Sequence, residues 1–288
     1  MATLAPRRDS LWRRAGRQLR KQKQVMLCFA IIGLYLLVAL LGVLGLLPDY
    51  QERVGPSYAP PGSSLALILG TDIFGRSVLY KILAGTKTAM LIGLLVPLIA
   101  VPVGIAMGAL SGYYGGWVDA VIVWLFSVVT SVPYILIVIA ISFVLGKGML
   151  AICVAMGSVS WVGLCRLIRG EFIKHRSREY ALASRLLGAG DSVVIFRHIL
   201  PNVIHVAIIT ASLQVLGAIK SEVILTYLGV GIQDGSSWGA MISDASGELV
   251  QGIYWPLSGV VFAMFLVIYA LNVVGDALRD ALDPKLLD

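Results

Sequence analysis

Six stretches of the chain run without charge, or nearly so, for long enough to cross a bilayer. They are residues 25–47, 88–110, 120–146, 148–165, 202–231 and 249–275. A helix needs roughly 20 apolar residues to span about 30 Å of hydrocarbon, so the pattern predicts an all-α integral membrane protein with six transmembrane helices. The fourth stretch is short, and the fifth is interrupted by Lys220 and Glu222. The first run holds 23 uncharged residues, longer than the roughly 7–15 of a signal-peptide core, and reads as a retained span.

Between the spans the polar positions fall unevenly. With the N-terminus inside, residues 1–24, 166–201 and 276–288 carry 17 of the 23 Lys and Arg. The opposite side has Arg53, Arg76, Lys81, Lys87 and Lys147, and Lys220 remains within a span. Positive residues collect on the cytoplasmic side, so both termini are expected there. This divides the chain into a cytoplasmic basic segment (1–24), a first span (25–47), an extracytoplasmic segment (48–87), a five-helix core (88–275) with an inner loop at 170–201, and a cytoplasmic tail (276–288).

Composition sharpens this picture. The 288 residues are 58% hydrophobic and 14% charged, with a mean hydropathy of +0.87. Soluble domains carry nearer a quarter charged residues. The net charge of +7 sits at span ends, which explains it without nucleic acid. Cys28, Cys153 and Cys165 lie singly in apolar runs and read as small buried hydrophobes. His175, His198 and His205 lack metal-ligand spacing, so no metal and no catalytic group is expected. Trp117, Trp161, Trp238 and Trp255 read as interface anchors or packing residues. Gly146-Lys147 is a turn, since Gly148 replaces the Ser or Thr of a phosphate-binding loop. Gly104, Gly108, Gly112 and Gly116 form a ladder that permits close helix approach.

The inner loop carries the most information. Glu179 to Leu187 is a good helix former with Leu182 and Leu186 on one face. Gly188 and Gly190 then stop the helix, Asp191 is placed to cap a second one, and Pro201 suits the first turn of the fifth span. This predicts a helix–Gly–helix elbow with exposed basic residues. Ala183, Gly188, Leu200 and Pro201 match the "EAA" loop of ABC importer permeases residue by residue. Leu182 stands where that pattern has Glu, Ser184 replaces Ala, and Glu179 supplies a carboxylate one turn earlier.

Further segments resemble the dipeptide/oligopeptide/nickel branch of that family. They are Leu69-Gly70-Thr71-Asp72-Ile73-Phe74-Gly75-Arg76, Ser111-Gly112-Tyr113-Tyr114-Gly115-Gly116-Trp117-Val118-Asp119, and Leu228-Gly229-Val230-Gly231-Ile232-Gln233 with Ser237-Trp238-Gly239-Ala240-Met241. A fourth, Asn272-Val273-Val274-Gly275-Asp276-Ala277-Leu278-Arg279-Asp280-Ala281-Leu282-Asp283-Pro284, is near the C-terminus.

The resemblance implies a type I importer permease of a bacterial inner membrane, of the "C" type. Its partners would be a homologous permease subunit, two ATPases that bind ATP and Mg, an extracytoplasmic solute-binding protein, and membrane lipid. Glu179, Leu182, Ala183, Ser184, Gly188, Leu200 and Pro201 would form the ATPase-coupling loop, and the chain itself would need no cofactor. Peptides are the expected cargo, with nickel chelates or other small solutes as the alternative. Lys220 and Glu222, two residues apart, point to different faces of a helix and are candidates to line the path. A secondary transporter would need matched broken helices in two halves, and no internal repeat is visible.

Overall fold

A computed structural model describes residues 16, 17, 19–146, 148–232 and 235–282. Lys147, Gln233, Asp234, most of the basic N-terminal segment and the final Asp283-Pro284 lie outside the described residues. Among those described, the architecture is helical with no strand; two isolated bridges, Arg53 with Arg76 and Thr71 with Ser77, pin the outer segment.

The helices are α1 (Lys23–Val43), α2 (Val78–Tyr114), α3 (Gly116–Thr130), α4 (Tyr134–Leu145), α5 (Met149–Arg176), α6 (Glu179–Leu186), α7 (Leu200–Tyr227), α8 (Trp238–Leu249) and α9 (Trp255–Leu282). Five are long and apolar enough to span a membrane if the turn preceding α7 is counted with it, and there are six if α3 and α4, bent at the short break between them, make one span. The all-α fold and the span count agree with the pattern of apolar runs.

Several boundaries shift, since α5 runs on to Arg176 and α9 covers Trp255–Leu282 against expected runs of 148–165 and 249–275, and two further differences have local causes. The run at 120–146, expected as one helix, bends by 89° between α3 and α4. Pro133 causes this: it lacks an N–H and disfavours helical geometry in Val132. The hydroxyls of Thr130 and Ser131 donate back to the Phe126 and Val128 carbonyls, closing the end of α3. The second difference concerns α2, which starts at Val78 inside the segment expected to be extracytoplasmic, with its first turn capped by the Ser77 hydroxyl. At 37 residues it is about 55 Å long, well beyond the hydrocarbon thickness. It therefore reaches past the bilayer.

α2 is the spine of the molecule. Along one of its faces the glycine ladder meets α5. A Cβ at Gly104 would lie 3.0 Å from the Trp161 carbonyl oxygen, at Gly108 2.7 Å from that of Cys165, and at Gly112 2.6 Å from that of Arg169. Side chains at these positions would push the helices apart. In lipid, where apolar burial drives little association, such backbone approach supplies the dispersion contacts. Gly116, the fourth expected rung, meets nothing and instead starts α3.

The N-terminal end of α2 is fixed by polar bonds. Asp72 pairs with Arg76 and Lys81, both at 3.0 Å, and is almost completely buried. Trp238 is fully buried; its ring lies over Gly85 and its Nε1 donates to the Ile82 carbonyl at 3.2 Å. It is a packing residue, as is Trp161, whereas Trp117 is 77% exposed, as an interface anchor would be.

Two outcomes follow. Gly112→Ala should lower the thermal midpoint of the purified protein, at an overpacking cost of roughly 1–3 kcal/mol, while Gly33→Ala, where a Cβ meets nothing, should not. Burial would raise the Asp72 carboxyl, but the Arg76 backbone N–H and the Lys81 ammonium outweigh it and hold it below its ordinary 3.8. A lowered folded value gives stability that is present above the unfolded pKa and lost as pH falls through the folded one. Asp72→Asn should therefore melt lower than the native protein at pH 5–7, with the difference closing below about pH 3.8.

Candidate functional site: the elbow between α5 and α7

Between α5 and α7 the chain leaves the helical core and returns, forming a projecting elbow. α5 ends at Arg176, Arg178 is extended, and α6 begins at Glu179. Its C-terminus closes with two bonds, Ala189 N–H to the Ser184 carbonyl at 3.1 Å and Gly188 N–H to the Arg185 carbonyl at 2.9 Å. This is a Schellman arrangement, and it places Gly188 at φ +84°, a conformation that disfavours any side chain. Gly190, the second expected stop, has φ −66°. The chain then winds through a short helical turn (Asp191–Val193) and a π-wound turn (Val194–Ile199) into α7, whose first turn contains Pro201.

The inward face of the elbow is packed. Ala181, Val194, Ile195 and Ile199 join Leu164, Ile168 and Phe172 of α5 and Tyr113 of α2 in one buried cluster. Ser184 is also buried. The outward face is apolar and uncovered. Leu182 is 45% exposed, Leu186 89% and Leu187 88%. Burying a leucine side chain is worth roughly 1.5–3 kcal/mol, and these three lie uncovered together at the tip.

Two polar clusters hold the elbow's base. The Tyr113 hydroxyl donates to Asp191 Oδ1 at 2.6 Å, the Arg185 guanidinium lies 4.8 Å above the Tyr113 ring, and Arg176 Nη1 donates to the Tyr113 carbonyl at 3.2 Å. Alongside, Asp119 of α3 accepts two bonds from Arg169 of α5, at 2.6 and 2.7 Å, and one from Ser111 of α2. A forked pair of this kind is among the stronger charged contacts. Asp191 was expected to cap the helix that follows it; its side chain makes no cap bond and instead ties the elbow to α2.

The expected coupling residues thus separate by face. Glu179, Leu182, Ala183 and Gly188 lie on the exposed side, Ser184 on the inner side, and Leu200 and Pro201 at the entrance to α7. The sequence reading missed Leu187 at the tip and the Tyr113–Asp191–Arg185 tether. Tyr113 stood within a segment singled out as a turn, but nothing local to it names a partner 78 residues away.

The two intramembrane charges diverge, as their spacing requires. Lys220 is exposed, while Glu222 is fully enclosed. Glu222 Oε1 accepts from the Thr226 hydroxyl at 2.9 Å, and that hydroxyl oxygen also accepts from Ile232 N–H at 3.3 Å. Glu222 therefore braces the loop after α7 from inside and does not open onto a groove of this chain.

Residues 100–288 match the family described as "Binding-protein-dependent transport system inner membrane component". This chain belongs to that family. Residues 10–61 match the N-terminal transmembrane domain of oligopeptide transport permease C. The dipeptide transport system permease protein DppC of Bacillus subtilis is 34% identical over 275 residues, covering 94% of this chain and 85% of that protein. The oligopeptide transport system permease protein OppC of the same organism is 35% identical over 282 residues, covering 96% and 90%. OppC of Escherichia coli K12 is 34% identical over 279 residues, covering 96% and 92%. The family and the membrane-spanning helices identify a multi-pass inner-membrane permease component.

Gly188→Val tests the elbow's geometry. A β-branched side chain at φ +84° costs on the order of 1–2 kcal/mol and should displace the α6 tip. Transport by the assembled system should fall several-fold while the chain still reaches the membrane at native levels.

Proposed function

We propose that this chain forms half of the translocation pathway of an ATP-driven peptide importer and that its elbow receives the motion of an ATPase. The observation that carries this reading is the bare apolar tip of Leu182, Leu186 and Leu187, mounted on a base bonded to α2 and packed on α5. A loop with no mechanical task has no need of both an exposed hydrophobic knuckle and so rigid a mounting. The family match supports the same assignment. The relatives named for dipeptide and oligopeptide transport support di- and oligopeptides as the cargo.

In this reading a homologous permease subunit completes the pathway. Two ATPases bind ATP and Mg, and a solute-binding protein delivers cargo to the outer face. The ATPases close on ATP and move the tip; the α6 helix passes the movement to α2 through Tyr113 and Asp191, and to α7 through the π-wound turn. The concentration of Lys and Arg at 1–24, 166–201 and 276–288 supports cytoplasmic termini, which puts the elbow on the ATPase side.

Leu186→Asp with Leu187→Asp tests this directly. The side chains are nearly fully exposed, so the fold should tolerate the change, whereas a docking groove would have to bury two charges. The affinity-tagged native chain should co-purify with an ATPase and support ATP-dependent uptake of trialanine, and the double variant should lose both. Retention of the ATPase by the double variant would count against docking at this tip.

A further inference from the structure

The break between α3 and α4 is both polar and open. It follows the 15 residues of α3 and so lies about 22 Å from that helix's start beside the Asp119–Arg169 pair. That distance is less than the hydrocarbon thickness. Ser131, Val132 and Pro133 are exposed at the break, and α4 begins with no side-chain cap. The first N–H groups of α4 thus depend on partners from outside the helix. Lipid supplies none, so irregular backbone at this depth is tolerated where protein covers it or water reaches it. Nothing in this chain covers residues 131–133.

Arg166 of α5 reaches this break. Its Nη2 donates to Thr130 Oγ1 at 3.0 Å, and its guanidinium lies 4.6 Å above the Phe126 ring. Neither contact neutralises the charge. Arg166 is exposed and has no ion pair among the described residues, whereas Arg169, about one turn away, is paired with Asp119. The guanidinium is therefore held in place with further N–H donors free. Arg166 stands ten residues, about 15 Å, before the end of α5 at Arg176. Asp119 meets residue 169 near the start of α3 and Thr130 meets residue 166 at its end, so the Arg166 side chain points away from the elbow. An arginine on a lipid-facing flank extends towards the nearest interface. A free charge at this depth faces water-filled space or a partner group.

We propose that Arg166 is an anion-binding point on the pathway wall, where it takes the α-carboxylate of a passing peptide. The inference rests on the reading of the chain as half of a peptide pathway. The guanidinium fork matches a carboxylate, which accepts two parallel bonds from it. Every linear peptide with a free C-terminus carries that group, whatever its side chains, so one arginine serves a varied cargo. Thr130 and Phe126 hold the guanidinium beforehand, so less side-chain freedom is lost on binding. Water competes for an exposed charge, and that keeps the contact weak enough to release. Lipid phosphates share the chemistry but lie at the interface, not at the depth of the break.

The test uses the complete complex in proteoliposomes, with radiolabelled trialanine as the probe. Arg166→Gln keeps a donor for Thr130 and removes the charge. It should lower ATP-dependent uptake about tenfold, equivalent to about 1.4 kcal/mol, and Arg166→Lys should recover part of the loss. Both variants should assemble with their partner subunits at native levels. Gly163 is exposed, meets nothing, and lies three residues from Arg166 on the same side of α5. Gly163→Cys should therefore react with a hydrophilic thiol reagent. Trialanine should slow that reaction, trialanine amide, which lacks the carboxylate, should not, and adding Arg166→Gln should abolish the protection. Native uptake in Arg166→Gln would overturn the proposal, as would an unreactive Gly163→Cys or equal protection, or none, by trialanine and its amide. Loss of assembly in both Arg166 variants would also overturn it, making Arg166 a contact between permease halves. If the native complex itself fails to take up trialanine, the peptide reading of the chain fails instead.

Discussion

The glycine contact between α2 and α5 is the constraint on which the rest of the structure depends. Gly104, Gly108 and Gly112 let the two backbones meet at distances no side chain would permit. That contact fixes α5, whose end carries the elbow, against α2, a 37-residue helix longer than the hydrocarbon is thick. Trp238 and the Asp72–Lys81 pair grip its N-terminal end, while Tyr113 with Asp191 and Ser111 with Asp119 grip its C-terminal end. On the proposed reading, a displacement of the elbow would pass into this packed helix pair. Close-packed interfaces switch between discrete arrangements more readily than they deform.

This layout assigns different work to the two ends of the elbow. Its tip presents leucines that gain by being covered, and its base is held by directional polar bonds that resist sliding. The π-wound turn at Val194–Ile199 lies between them, directly before α7. Such turns often occur at functional positions in helices.

Much of this was legible in the sequence, and particular residues show why. The spans follow from hydrophobic length, because the bilayer sets a nearly fixed requirement. The elbow followed from Gly188, since a helix ending in the left-handed region calls for glycine. The 89° bend at Pro133 carried a local signal, a proline within an apolar run, that the length criterion overrode. The placement of Glu222 was not legible. Its spacing from Lys220 shows that the two point apart, but not which one is enclosed; that depends on the loop after α7 folding back so that Ile232 reaches Thr226. The tether from Tyr113 to Asp191 was hidden for the same reason, since long-range pairs leave no periodic trace. The bond from Gln214 to the Ser160 carbonyl likewise required α5 and α7 to be set side by side before the two could be recognised as neighbours.

The central claim is that the α6 tip lies on the cytoplasmic side and is covered by an ATPase. Labelling of Leu186→Cys with a membrane-impermeant thiol reagent tests it most directly, because the native Cys28, Cys153 and Cys165 are all buried. The account predicts reaction in inside-out vesicles stripped of ATPase, protection when the ATPase is restored, and no reaction in right-side-out vesicles. Labelling from the outer side, or labelling unaffected by the ATPase, would contradict it.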